Sequence, residues 1–253
     1  MVLTRKDTNK RLGITIPRSY RTDFNPGLLR LELLRLILRN VKVYMGSLAG
    51  KKIAFIGGGI GREIVHLKEK NDFFAVNMDI NLKLLGTGML YYKNANLQCA
   101  VVAGDGMRLP FKDDAFDIVV LYESLHHMDE LITCLSESFR IGKTLFIADR
   151  RKCFVSKLGR SLKLIKPEED GFFANELDLG WFGGWINTLP GTRVKHIKRH
   201  FLYLLVINKP IHDFIIKSRL LCRLDIVCVR LFNALFGYFG NGVIIAAGKK
   251  PYI

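Results

Sequence analysis

The stretch Lys52-Ile-Ala-Phe-Ile-Gly-Gly-Gly-Ile-Gly-Arg-Glu-Ile-Val-His66 constrains the fold most, because an apolar run breaks into four closely spaced glycines and then resumes with helical spacing. The pattern predicts strand, tight turn and helix. Gly57, Gly58, Gly59 and Gly61 lack the side chains that would hold a ligand off the backbone, and the free amides of the following helix aim at whatever lies there. A second apolar run, Phe73-Phe-Ala-Val-Asn-Met-Asp79, ends in an acid able to accept hydrogen bonds from ribose hydroxyls. Together these two runs point to an adenosine-containing cofactor.

The same alternation continues downstream. Apolar runs near 52–56, 73–78, 99–103, 116–121 and 144–148 read as strands with helices between most of them, which implies a parallel sheet covered on both faces. After Asp149 the rhythm changes to a basic, then glycine- and aromatic-rich insertion over 150–190. A strand-like segment around 194–207, a long helix over 211–239 and a last strand over 242–248 follow. The expected fold is therefore α/β, a doubly wound, mostly parallel seven-stranded sheet. It carries an amino-terminal helix over 28–45 and an insertion between the fifth and sixth strands. Three segments follow from this reading: a basic lead-in over 1–50, a cofactor-binding core over 51–150, and the insertion, long helix and last two strands over 151–253.

Charge divides the chain in the same way. Residues 1–50 carry 10 Lys and Arg against 3 Asp and Glu, residues 51–150 carry 12 against 13, and residues 151–253 carry 17 against 7. The net charge of +16 thus belongs to the flanks and suits either a solvated basic surface or a polyanionic partner. The five cysteines form no Cys-x-x-Cys pair, which argues against both a zinc site and a disulfide framework, and no metal is expected. The first residues lack the apolar core of a signal peptide, and 231–248 is too interrupted to span a bilayer, so a cytosolic protein is expected.

The cofactor is narrowed by later residues. A nicotinamide fingerprint starting at Gly57 would put Arg62 where a small residue is needed for close packing. The third strand runs into Gly104-Asp-Gly-Met-Arg-Leu-Pro-Phe111 and the fourth is Phe116-Asp-Ile-Val-Val-Leu-Tyr-Glu-Ser-Leu-His-His-Met128. On these residues the chain closely resembles the class I S-adenosylmethionine-dependent methyltransferases, in particular the group that includes the quinone-biosynthesis C-methyltransferases and many small-molecule and lipid methyltransferases. The matching residues span roughly 51–150. The resemblance implies S-adenosylmethionine as cofactor, with Gly57 to Gly61 against its methionine and ribose. It further implies Asp79 and the adjoining Ile80 at the ribose, Asp105, Gly106 and Met107 at the adenine edge, and Tyr122 beside the cofactor. One departure stands out: the acid usual in the family two positions before the first glycine is Phe55 here, so either another group, Glu63 or a main-chain carbonyl, binds the amino group or cofactor affinity is reduced.

Methyl transfer from a sulfonium needs chiefly alignment of donor and acceptor. His126 or His127 at the end of the fourth strand could take a proton from a hydroxyl acceptor, or could simply cap the strand. The aromatics Phe172, Phe173, Trp181, Phe182 and Trp185 suit either a lid over a flat acceptor or packing of the insertion onto the core. The leading reading is a methyltransferase for a small-molecule or lipid-like acceptor, with basic residues on 211–239 compatible with peripheral contact on an anionic membrane. The alternatives are an RNA methyltransferase, against which the Tyr-Glu-Ser-Leu-His-His segment speaks, and a non-catalytic partner-binding protein on a degenerate methyltransferase fold, which Phe55 motivates.

Overall fold

In a computed structural model, residues 39, 41, 43–68, 71–162, 175–200 and 218–249 are described. Seven strands form one sheet: β1 (Lys52–Ile56), β2 (Phe74–Asp79), β3 (Ala100–Ala103), β4 (Phe116–Tyr122), β5 (Gly142–Arg150), β6 (Thr192–His200) and β7 (Gly242–Lys249). Their spatial order is β3-β2-β1-β4-β5-β7-β6. The first five strands pair in parallel, and β7 is antiparallel to both β5 and β6. The expected doubly wound, mostly parallel sheet is therefore present, and its order reverses between β1 and β4, beside the glycine loop.

Strand alternation builds two cores. Ile53, Phe55, Ile118, Val120, Phe146 and Ile244 face one side, with Ile64, Val65 and Tyr92 packed on them. Ala54, Ile56, Val119, Leu121, Leu145 and Ile147 face the other, against Cys134, Leu135 and Phe139. Strands buried on both faces read as the continuous apolar runs seen in the sequence.

The helices are α1 (Arg62–Lys68), α2 (Leu82–Asn94), α3 (Leu131–Ile141), α4 (Phe154–Ser161), α5 (Leu179–Thr188) and α6 (Arg219–Phe236). Polar side chains fix where several of them start. Asn81 Oδ1 accepts from the Lys83 and Leu84 amides at 3.1 Å each, and Asp178 Oδ1 accepts from Gly180 and Trp181 at 3.0 and 3.1 Å. Cys153 and Ser156 cap α4 reciprocally.

Some expectations shift. Residues 39, 41 and 43–45 are helical, while most of the lead-in helix lies outside the described residues. The sixth strand is described over Thr192–His200 and the long helix over Arg219–Phe236; the rest of the expected segments over 201–207 and 211–217 lies outside the described residues. Helix α5 carries three of the five aromatics of the insertion. Phe182 is fully buried, and Trp185 packs edge-on against Phe139 at 5.8 Å, so this part of the insertion fills the core. Phe172 and Phe173 lie outside the described residues.

Phe55 belongs wholly to the first core, 1% exposed and 6.4 Å from the Phe73 ring. Replacing it by the acid expected from the resemblance would bury a charge and open a cavity together. Phe55→Asp is expected to destabilise by at least as much as Phe55→Ala, about 3–5 kcal/mol, in chemical denaturation. A neutral Phe55→Asp would contradict this packing.

Candidate functional site

The glycine turn leaves β1 with Gly57, Gly59 and Gly61 all in the left-handed region, at φ 66°, 54° and 68°. A side chain there would be strained, and at two positions it would also collide. A Cβ on Gly57 would stand 2.6 Å from Ser124 Cβ, and one on Gly61 would run into the Tyr92 hydroxyl. The turn is held from β2. Asp79 Oδ2 accepts the Gly59 amide at 2.8 Å while Oδ1 accepts the Asn81 amide at 2.8 Å. One carboxylate thus ties the glycine turn to the start of α2, and Ile80 lies between the two contacts. Burial pushes the Asp79 carboxyl above the ordinary aspartate range, against the pull of the Asn81, Gly59 and Ile80 amides.

The segment after β3 closes on the same place. Asp105 Oδ1 accepts the Met107 amide at 3.1 Å and the Asp105 carbonyl accepts from Arg108 at 2.9 Å, forming a compact turn. A Cβ on Gly106 would meet the Met128 side chain at 3.0 Å, and Met128 also borders Gly57. The glycine turn, the Asp105–Met107 turn and the segment after β4 therefore converge. Tyr122 ends β4 half-buried, and Glu123 follows it with φ 48°.

Sequence reasoning missed several participants here. Asn77, fully buried in β2, donates from Nδ2 to the Gly59 carbonyl and to Tyr92 Oη at 2.9 Å each, while its Oδ1 has no partner. Ser124 Oγ, buried on the β4 side of the turn, also lacks one. The available signal was a polar residue inside the otherwise apolar β2 run. Glu63, 5% exposed, places Oε1 3.3 Å from where a Gly58 Cβ would be, beside Asn77 Oδ1. Burial pushes its carboxyl up to about 8, with Glu123 and Asp79 adding and Arg62 opposing.

The two histidines differ in setting. His126 is buried, and its Nδ1 stands 2.6 Å from Asp149 Oδ1. Asp149 Oδ2 also accepts the Leu125 and His126 amides at 2.8 and 3.3 Å, and Oδ1 accepts Arg150 N at 2.7 Å. Burial alone would raise the Asp149 carboxyl, but the His126 and Arg150 contacts outweigh it and hold it below the usual range. An ionised carboxylate only accepts, so the proton on this contact sits on His126 Nδ1. His127 is half-buried with its ring 4.1 Å from that of His126.

Other candidates do not join the site. His200 is buried beneath Gly242 and pushed down to about 3, chiefly by burial, and His196 stacks on Tyr44 at 3.5 Å. Among the described residues no cluster of three His, Cys, Asp or Glu is placed to hold a metal. A cleft of about 610 Å³ lined by Lys68, Phe73, Tyr92 and Cys99 opens where β2 and β3 begin, at the opposite end of the sheet from the glycine turn.

Residues 55–144 match the family model of the methyltransferase domain. The chain is 27% identical over 147 residues to a demethylmenaquinone methyltransferase of Beutenbergia cavernae, covering 57% of this chain and 59% of that one. It is 27% identical over 118 residues to the O-methyltransferase rstn1 of Aspergillus nomiae, covering 45% and 52%. The chain thus spans between half and three-fifths of these curated relatives. Among solved structures, magnesium protoporphyrin IX methyltransferase from Synechocystis with bound S-adenosylmethionine superimposes with a TM-score of 0.61 at 14% identity, covering 98% and 99% of the two chains. The [4+2]-cyclase SpnF superimposes with a TM-score of 0.60 at 14% identity, covering 86% and 80%. Both likenesses show a shared fold.

The buried Glu63 makes stability pH-dependent. Between about pH 5 and 8 the unfolded chain ionises this carboxyl while the folded chain keeps its proton, so folding stability falls as pH rises through that window. Thermal melts should show the midpoint declining across it, and Glu63→Gln should remove the larger part of the decline. Equal slopes in the two proteins would contradict a buried neutral carboxyl.

Proposed function

We propose that this chain, class I methyltransferase in fold with a methyltransferase domain over residues 55–144, is an S-adenosylmethionine-dependent enzyme that methylates a small-molecule or lipid-like acceptor. The observation that carries this reading is the convergence at the glycine turn: Gly57 without a side chain between Ser124 and Met128, Glu63 beside Gly58, and Asp79 on the Gly59 amide. A carboxyl-rich cradle that a Cβ would fill suits a ligand carrying ammonium and sulfonium charges, whose arrival would favour loss of the proton that burial keeps on Glu63.

Each residue has a proposed part. The Gly57–Gly61 backbone, Gly58 included, lies against the methionine and ribose, Asp79 with Ile80 receives the ribose hydroxyls, and Asp105, Gly106 and Met107 border the adenine. Tyr122 packs beside the cofactor, and Glu63, rather than the apolar Phe55, faces its amino group. When bound, the cofactor supplies an electrophilic methyl group. The protein's contribution is then to align the acceptor and exclude water, and proximity can account for much of the rate. For a hydroxyl acceptor we assign the proton to the His126–His127 pair, with Asp149 fixing the His126 tautomer.

The relatives' names support the acceptor class: they include a demethylmenaquinone methyltransferase and a 24-methylenesterol C-methyltransferase of Arabidopsis thaliana. Peripheral contact with an anionic membrane is part of the same reading. Among the described residues no helix is long and apolar enough to cross a membrane.

Transfer of isotope-labelled methyl from S-adenosylmethionine to an apolar metabolite extract tests the activity. Asp79→Ala should raise the cofactor KM about tenfold or more, since a charged hydrogen-bond acceptor is lost. An unchanged KM would remove Asp79 from the site. Asp149→Asn should lower kcat about tenfold or more and change the pH profile, with the cofactor KM kept. An unchanged kcat and profile would reduce the His126–Asp149 pair to a strand cap.

A further inference from the structure

Two helices of the carboxyl-terminal segment turn apolar faces outward. On α4, Phe154 and Leu158, with Leu162 just beyond, recur every fourth residue and are exposed, Phe154 by 75%, while Ser156 on the opposite face is buried and bonded to Glu176 at 3.0 Å. On α6, Leu220, Leu224, Val227, Leu231 and Leu235 are spaced by four, three, four and four residues, so they form one stripe, and all are exposed. Phe232 and Phe236 widen that stripe, and the turn after the helix adds Tyr238 and Phe239, 68% and 61% exposed. So much contiguous apolar surface is unusual on a soluble monomer and marks an interaction face.

The two faces belong to one end of the molecule. Arg151, three residues before Phe154, donates from Nε to the Gly240 carbonyl at 2.6 Å and from Nη2 to the Tyr238 carbonyl at 2.9 Å. The Arg199 guanidinium lies 4.2 Å over the Tyr238 ring and fixes the same turn. Arg150 pairs with Gly242 at the carboxyl end of β5, which is parallel to β4 and, through it, to β1. The apolar face therefore adjoins the end of the sheet that carries the glycine turn.

Charge identifies the occupant. Lys152 and Lys157 flank the α4 stripe, sharing between them the single carboxylate of Asp178, 3.8 Å from Lys152 Nζ, and Arg230 lies on α6, all exposed, within a segment carrying 17 basic and 7 acidic side chains. A second copy docked face to face would bring these cations together. An anionic bilayer would instead attract them while receiving the apolar residues. Resting on the methyltransferase reading above, we propose that α4, α6 and the turn at Tyr238–Phe239 form one surface that lies in the interface of an anionic membrane. A lipid-like acceptor then reaches the site from the bilayer.

Flotation of the full chain with phosphatidylcholine vesicles, with and without phosphatidylglycerol, tests this. Binding should require the anionic lipid and weaken with added salt. Phe154→Glu with Leu158→Glu, and separately Leu231→Glu with Leu235→Glu, should each lower vesicle affinity about tenfold or more, because these side chains no longer enter the bilayer. Lys152→Glu with Lys157→Glu should weaken binding to the anionic vesicles and make what remains less sensitive to salt. Circular dichroism melts verify folding, and cofactor affinity by calorimetry should be unchanged in every variant. Absent vesicle binding, binding indifferent to these substitutions, or a concentration-dependent dimer abolished by them would each overturn the proposal. Vesicle binding by a protein that fails to bind S-adenosylmethionine would count against the methyltransferase reading alone.

Discussion

The contact on which the site depends is the Asp79 carboxylate bound to the Gly59 amide at 2.8 Å. It joins the end of β2 to a turn that no side chain could stabilise, since Gly57, Gly59 and Gly61 all occupy left-handed backbone. With its other oxygen on Asn81, the same carboxylate sets the start of α2, whose cap places Tyr92 on the same core face as Phe55 and Ile64. Glycine freedom creates the space for a ligand, and the acid removes the disorder that freedom would bring. The carboxylate is buried for this purpose, which is why its proton affinity is raised.

Around that contact two buried side-chain atoms have no hydrogen-bond partner. Asn77 Oδ1 and Ser124 Oγ lie buried on either side of the turn, and Glu63 shares its interior with Asn77. Groups that favour stability alone would pair or be apolar. Their retention beside a backbone cradle supports the cofactor site we propose there. On the other side of Met128, Asp149 gathers the Leu125 and His126 amides and the His126 ring, linking the ends of β4 and β5.

Much of this was legible in the sequence where local pattern decides structure. The β1 run was bounded correctly because apolar residues end abruptly at glycine, and β4 and β7 were found within one residue at each end because they are apolar runs flanked by turns. Asp79 was legible as the acid closing such a run, while Asp105 was singled out only through the family resemblance. Asn77, Ser124 and Asp149 were not singled out, because their roles arise only when strands distant in sequence align. Asp149 nevertheless ended an apolar run, as Asp79 did. The insertion illustrates the limit from the other side: aromatic content could not distinguish a lid from a helix packed on the core, and the four-residue spacing that buries Phe182 and Ile186 becomes meaningful only once α5 sets Trp185 against Phe139.

Phe55 divides the possible histories of this fold. In the core it adds stability and leaves no room for the acid expected at that place, so in the function we propose Glu63 takes over the hold on the cofactor's amino group. Calorimetric titration of the full chain with S-adenosylmethionine tests that claim most directly. The account predicts saturable binding of one cofactor per chain, displaced by S-adenosylhomocysteine and weakened in Glu63→Gln. The absence of binding at millimolar cofactor would contradict it.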